Sequence, residues 1–361
     1  ETGWRFLLSV NLAHFDPGSA AQEAAAAESI LGTSLAGIEI GNEPDRYPVE
    51  GLRPASWWSF DAYRHEVDAY RSAIDDAAPG VPIAGPDASS GEPPLSWVRD
   101  EGRLAGPSLL TDHYYPLTLC GGTTVALGDL VSASTRASES AMLAQLVSLQ
   151  RVSGIPLRLD ETNNVSCKGA PGVSSTFAAA LWAADFIGRA ARAGLAGVNL
   201  MDRLERVVDP ATGAYSPLAL TDEAELRSGR LHVYPEWYAL LLTRSLAGTR
   251  PLGTRVLGAG RLTASAFLGA DGSVQVLLVD FDPPGARGLR VRVSGAWRAG
   301  TVLRLTASSL GARGGVTLGR RSVGADGAWA PVSPLPRVYV SGGRSELSVA
   351  PSSAALVTLY R

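Results

Sequence analysis

The stretch GIEIGNEPDRYP, Gly37 to Pro48, decides how this chain is read. An apolar run ends in Asn42-Glu43-Pro44, so a short buried strand delivers a carboxylate at its C-terminal tip. The bland alternative is a solvated surface loop. A second stretch repeats the pattern. PLRLDETNN, Pro156 to Asn164, is again a short apolar strand with acids at its end, here Glu161 or Asp160. The bland alternative for Glu161 is a partner of a helix cap.

The sequence around these tips alternates between strand and helix signals. WRFLLSVNLA reads as a strand, and SAAQEAAAAESILG as a helix closed by glycine. The strand LAGIEIG follows, then a helix around residues 60–78. VPIAGPD and SLLTDHYYP are further strands, and ASESAMLAQLVSLQRVSG is an amphipathic helix. After the strand PLRLDE come the long helix SSTFAAALWAADFIGRAARAG, the strand AGVNLMD and the helix YPEWYALLLTRSLAG. Repeated β–α units imply parallel strands joined by right-handed crossovers. In a closed (β/α)8 barrel the functional groups gather at the C-terminal ends of the strands. Two carboxylates facing each other there can hydrolyse a glycoside, and their separation sets the stereochemistry.

Beyond about Leu246 the texture changes to β-branched alternation and glycine turns. LTASAFLGADGSVQVLLVDFD reads as a hairpin turning at GADGS. LRVRVSG, TVLRLTAS, RVYVSGG and AALVTLYR read as further strands. Residues 1–247 are therefore expected to form the catalytic (β/α) barrel, and residues 248–361 an antiparallel β-sandwich. No internal repeat or low-complexity block interrupts them.

Composition agrees with a large buried core. Of 361 residues, 45% are hydrophobic and 19% charged, and the formal net charge is −3. No basic patch points to nucleic acid, and the apolar runs are too short to span a bilayer. The four histidines and two cysteines show no metal-ligand spacing. Lys168 is the only lysine.

With these residues in hand, the chain resembles glycoside hydrolase family 79, the β-glucuronidase and heparanase family of clan A. The likeness runs over nearly the whole length. It rests on IEIGNEPD, DHYYPL, RLDETNNVSCKGAPGVSSTFAAALWA, GVNL, AYSPLAL and VLRLTASSLGARGGVTLG. The resemblance implies a retaining mechanism, with Glu43 as acid/base on strand four and Glu161 as nucleophile on strand seven. It implies that Asn42 bonds the sugar 2-hydroxyl, and that His113 and Tyr115 lie near the nucleophile, with Tyr114 as the alternate register. It implies that Tyr215 helps bind the sugar's carboxylate.

Two departures stand out. Ser166 occupies the place of a family tyrosine, and Cys167 and Lys168 replace small residues. Lys168 offers a charge-assisted bond to a uronate, or is simply a solvated loop lysine. In the family's frame the chain also begins at strand three. It is therefore expected to be N-terminally incomplete, since six strands leave edges unpaired. A chain of this kind is expected to fold poorly or be inactive alone.

In the same frame Cys120 follows strand six and Cys167 follows strand seven, on one face. They are expected to form a disulfide worth about 3–4 kcal/mol in the chain-entropy model, rather than two free thiols. A disulfide suits a secreted or periplasmic protein. Trp297 and Trp329 are read as sandwich core rather than sugar platforms.

The sequence thus points to a retaining, exo-acting β-glycosidase, foremost a β-glucuronidase, with a carbohydrate as its partner and no cofactor, metal, nucleic acid or membrane. The alternatives are a β-glucosidase-type activity with the same mechanism and a catalytically silent carbohydrate-binding protein.

Overall fold

A computed structural model describes residues 5–89, 95–204, 215–258, 261–283 and 285–361. Trp4 and Ala214, which fall in stretches singled out above, lie outside the described residues. The strands are β1 (Phe6–Val10), β2 (Leu35–Ile40), β3 (Ile83–Ala88), β4 (Pro107–Tyr114), β5 (Leu117–Thr118), β6 (Leu157–Thr162), β7 (Val165–Ser166) and β8 (Gly197–Leu200). Further on come β9 (Leu218–Ala219), β10 (His232–Val233), β11 (Arg250–Leu252), β12 (Leu262–Leu268), β13 (Val274–Asp280), β14 (Leu289–Ser294) and β15 (Ala299–Thr306). The last strands are β16 (Thr317–Leu318), β17 (Tyr339–Ser341), β18 (Arg344–Val349) and β19 (Ser353–Tyr360). The helices are α1 (Pro17–Leu31), α2 (Phe60–Ala77), α3 (Ser96–Glu101), α4 (Leu127–Leu130), α5 (Ala133–Ser153), α6 (Phe177–Ala193), α7 (Glu223–Ser228) and α8 (Pro235–Thr243).

The chain divides into two units. The first comprises Glu1–Tyr114, Leu143–Thr162 and Leu195–Asn199; the second comprises Tyr115–Met142, Asn163–Gly194 and Leu200–Arg361.

In the first unit, β1-β2-β3-β4-β6-β8 form one sheet in chain order, and each pair from β1 to β6 is parallel. Helices fill the crossovers, as in half of a (β/α) barrel. Helix α1 starts where Asp16 accepts the Ser19 N–H and Pro17 presets the first turn. Ser59 caps α2 in the same way. The spacing of Tyr63, Val67, Tyr70 and Ile74 buries one face of α2, packed with Ala20, Ala24, Ile38 and Ile40. The Tyr70 hydroxyl donates to the Asn11 carbonyl and accepts the Asp16 N–H, so the buried ring keeps its polar tip satisfied.

In the second unit, β11-β12-β13-β19-β15-β16 form an antiparallel sheet, and β14-β18-β17 a smaller one. Val274, Val276, Val302, Leu347, Val349, Val357 and Leu359 share one core with Trp297. Strand β14 alternates cleanly: Val291 and Val293 pack on that core, while Arg290 and Arg292 face out and pair with Glu346. Strand β13 does not alternate, because both of its faces are covered. Its Leu277 comes so near Gly188 of α6 that a Cβ there would lie 2.6 Å from the leucine. Helix α6 is accordingly buried along most of its length. The GADGS hairpin is present as read, with Leu268 opposite Val274. The sequence reading missed β18, which returns through Gly342 and Gly343 at φ 56° and 74°. Two successive left-handed residues are what a tight hairpin turn requires.

Trp297 donates its indole N–H to the Val293 carbonyl, and Trp329 donates to that of Leu318. Both are engaged within the sandwich. Cys120 and Cys167 form a disulfide with a Cα–Cα distance of 5.6 Å and a sequence separation of 47. The loop it closes corresponds to about 4 kcal/mol of chain entropy. No helix among the described residues is long and apolar enough to cross a membrane.

Candidate functional site

The first unit gathers its acids at the C-terminal ends of neighbouring parallel strands. Glu43 follows β2, Asp87 lies near the end of β3, His113 near the end of β4, and Asp160 and Glu161 near the end of β6. An oxygen of Glu43, a ring nitrogen of His113 and an oxygen of Glu161 all lie within 4.8 Å of one another. His113 Nδ1 stands 3.1 Å from Glu43 and 3.8 Å from Glu161. On the ring's other side, His113 Nε2 stands 2.6 Å from Asp87 and 3.5 Å from Asp160.

Two register shifts aim these side chains. On the β4–β6 ladder Asp112 pairs with Leu159, and the next residue, His113, pairs with Glu161. Asp160 is the extra residue of a bulge. Its side chain is 5% exposed, against 27% for Glu161. On the β3–β4 ladder Gly85 pairs with Leu110 and Ala88 with Asp112, so Pro86-Asp87 holds another extra residue. Bulges of this kind re-aim side chains beside functional sites.

Glu43 has its own backbone device, a left-handed conformation with φ 44°. Few non-glycine residues adopt it, and it costs of order 1 kcal/mol. The surroundings impose it. The Glu43 N–H donates to the Asp87 carbonyl at 2.9 Å, and Trp58 donates to the Pro44 carbonyl at 2.7 Å. Asp45 accepts the backbone N–H of Ser89 at 2.9 Å. Arg46 lies 3.1 Å from Glu43, with Glu50 as its second partner at 3.2 Å.

Beneath Glu43 and Glu161 the site is an acidic layer closed to water. Burial pushes Glu39 up to about 7, helped by the charge of Asp87. Burial holds Asp112 and Asp160 well above the usual carboxylate range, with Asp87 adding to the effect on Asp160. For His113, burial acts downward, but hydrogen bonds to Asp160, Asp87 and Glu43 outweigh it and hold the imidazole well above its ordinary value. Both ring nitrogens thus lie against acid oxygens, Nδ1 toward Glu43 and Nε2 toward Asp87.

The native state thus keeps protons that the unfolded chain releases. For Glu39, Asp112 and Asp160 release occurs near pH 4, and for His113 near 6.5. The carboxyl groups contribute stability in full below about pH 4, and lose it as pH rises through their folded values, about 7 for Glu39. The melting temperature is expected to fall between pH 5 and pH 8, and Glu39→Gln to flatten that fall. Thermal melts across the range check this; a melting temperature that climbs from pH 5 to 8 contradicts it.

The other residues named from sequence are placed as follows. In the first unit Asn42 is exposed at the strand tip, and its backbone hydrogen-bonds the Tyr47 hydroxyl. Tyr114 is buried, with its carbonyl accepting from Thr162. In the second unit Tyr115 and the buried Tyr215 approach with ring centroids 6.2 Å apart. Ser166 donates to Thr118 at 2.8 Å on the short β5–β7 ladder, and Lys168 is exposed with φ 76°. Asn163 donates to the carbonyls of Met201 and Tyr215 and to the buried Glu236. Sequence reasoning missed Asp87 and Glu39. The signal for Asp87 was present in VPIAGPD, an acid at the tip of an apolar strand, as with Glu43 and Glu161.

No protein-family model matches the chain. It is 32% identical over 184 residues to a β-glucuronidase from Aspergillus niger, covering 45% of this chain and 33% of that protein. It is 28% identical over 183 residues to a β-glucuronidase from Neurospora crassa, covering 45% and 32%. The chain spans about a third of the length of these curated relatives. Among solved structures it is similar to a 4-O-α-L-rhamnosyl-β-D-glucuronidase from Fusarium oxysporum 12S. The TM-score is 0.75 at 22% identity, over 98% of this chain and 77% of that one. It is also similar to an arabinofuranosidase of glycoside hydrolase family 51 from Xanthomonas axonopodis pv. citri. There the TM-score is 0.66 at 15% identity, over 99% and 76%. The chain therefore shares its fold with glycoside hydrolases, a parallel (β/α) sheet followed by antiparallel sheets, and its sequence is similar to that of β-glucuronidases.

Proposed function

We propose that this chain carries the catalytic centre of a retaining β-glycosidase that releases terminal glucuronic acid. One observation carries the reading: Glu43 and Glu161 converge to within 4.8 Å at the ends of parallel strands. A separation near 5 Å suits direct attack by one carboxylate, whereas inversion needs a wider gap for water. Glu43 protonates the glycosidic oxygen as the bond to the anomeric carbon breaks. Glu161 attacks that carbon and forms a covalent glycosyl-enzyme. Glu43 then takes a proton from water, the water oxygen attacks the same carbon, and Glu161 is released. Two inversions leave the β configuration unchanged. Arg46 has Glu50 as an alternative partner, so it can leave Glu43 when a substrate oxygen arrives.

The sugar assignment rests on the similarity to β-glucuronidases. Asn42, beside Glu43 on the same strand tip, is assigned to the 2-hydroxyl. In this reading residues 1–247 hold the chemistry and residues 248–361 are a structural companion. The disulfide suits an oxidising compartment outside the cytosol. Comparing an aryl β-glucuronide with the matching aryl β-glucoside tests the reading. Turnover of the glucuronide is expected to exceed that of the glucoside by about a hundredfold. Equal rates on both would return the specificity to neutral sugars. Binding of either sugar without turnover would make the protein a lectin-like binder.

A further inference from the structure

Asp87 carries no role in the mechanism above, yet its backbone and side chain together touch Glu43, His113 and Thr111. Its carbonyl accepts the Glu43 N–H at 2.9 Å. Its carboxylate meets His113 Nε2 at 2.6 Å. Its own N–H donates to Thr111 Oγ at 3.0 Å. The residue is buried, sits in the β3 bulge, and has φ 57°, the left-handed region that a residue with a Cβ avoids. Glu43, its partner, is left-handed too, at φ 44°. Two such residues joined by a hydrogen bond, one of them also holding the imidazole between the two glutamates, are a paired device rather than a loop accident.

We propose that Asp87 is the positioning residue that holds Glu43 and His113 as one unit for the proposed reaction. Its backbone sets where the Glu43 carboxyl is presented, and its side chain keeps the His113 ring turned with Nδ1 toward Glu43 and Glu161. With Asp160 and Glu43, its hydrogen bond also raises the ring's affinity for a proton. His113 faces acids from every strand around it: Glu39 and Glu43 from β2 and its turn, Asp87 from β3, Asp112 beside it on β4, and Asp160 and Glu161 from β6. Asp87 makes the shortest contact of the set. An ionised carboxylate at hydrogen-bond distance favours the protonated imidazole far more than an amide does.

The inference rests on the glycosidase reading for its meaning, but its test does not need turnover. Asp87→Asn keeps the shape, and asparagine tolerates left-handed backbone. Asp87→Gly removes the side chain while suiting the same φ even better. The imidazole resonance of His113, assigned through a His113→Gln variant, is followed by NMR against pH in the full chain. Its titration midpoint is expected to drop by about one pH unit or more in both variants, a tenfold or larger loss of preference for the charged ring. On a glycoside that the unaltered chain turns over, kcat is expected to fall about tenfold or more while KM moves less than about threefold. Unchanged titration of His113 in a folded variant overturns the proposal. So does loss of a cooperative melt in both variants, which would make Asp87 a residue of the fold alone. If His113 shifts as expected and the unaltered chain turns over no glycoside, the positioning role stands and the glycosidase reading falls.

Discussion

Glu161→Gln is expected to lower kcat on an aryl β-glucuronide by on the order of 10⁴-fold or more, the usual cost of removing a covalent nucleophile. The fold should survive, because the Glu161 side chain is partly exposed and glutamine is its isostere. The neighbouring acid provides the control. Asp160 is the buried extra residue of the β6 bulge, its carboxyl pushed up by burial, and it faces the far nitrogen of His113. It lies across the ring from Glu43 and Glu161, which face the other nitrogen. Asp160→Asn should therefore cost far less activity than Glu161→Gln, and should register mainly as a change in stability. Glu43→Gln completes the set. Loss of general acid assistance costs roughly 10²–10⁴-fold, and the loss shrinks for aryl groups that depart without a proton. A 2-fluoro-glucuronide that labels the protein should be found on a peptide containing Glu161. Labelling on Asp160, or turnover indifferent to Glu161→Gln, removes the mechanism.

The contrast between Asp160 and Glu161 also shows where sequence reasoning reaches its limit. Side chains on a regular strand alternate faces, so one of two consecutive acids should point away from the site. The bulge breaks that rule, and both contact His113 from different sides. Bulges leave no trace in an apolar pattern, so alternation alone could not choose between the two residues. The strands themselves were legible, because LAGIEIG, PLRLDE and AGVNLMD are short apolar runs bounded by turn residues. Helices α1, α2 and α6 were legible from their caps and periodicity. Asp87 was not recognised, although it ends its strand as Glu43 does, because the value of a strand-tip acid depends on what the next strand places beside it. Strand β18 was missed because RSELSV is half polar, and only its pairing with β14 and β17 gives that polarity a solvent-facing side. The grouping into two units was also invisible in the chain order, since α6 belongs with the antiparallel sheets rather than with the parallel one.

That grouping makes a second large effect predictable, inside the second unit. Arg189 on α6 donates to Asp185 at 2.8 Å and to Glu139 on α5. Glu139 also accepts the Trp182 indole N–H at 2.7 Å, and Asp185 accepts the Thr263 hydroxyl of β12 at 2.6 Å. Every residue of the set but Thr263 is buried. One guanidinium thus bonds two carboxylates that tie helix to helix and helix to sheet. Arg189→Ala leaves both acids without their cation, and loss of one partner from a buried ionic cluster costs about 3–5 kcal/mol. Burial pushes the Glu139 carboxyl up, and Arg189 opposes that shift. Without Arg189 the carboxyl rises further and folding favours its neutral form. The variant's deficit should therefore be larger at pH 8, where that proton must be held against solvent, than at pH 5. Urea unfolding at the two pH values measures both quantities. A triple variant, Arg189→Met with Glu139→Gln and Asp185→Asn, separates the causes, because it removes the guanidinium and both carboxylates together. If it recovers most of the lost stability, the penalty lies in uncompensated charge. If it remains as unstable as Arg189→Ala, the cluster serves through its hydrogen-bond geometry, with Thr263 and Trp182 as the anchors that matter.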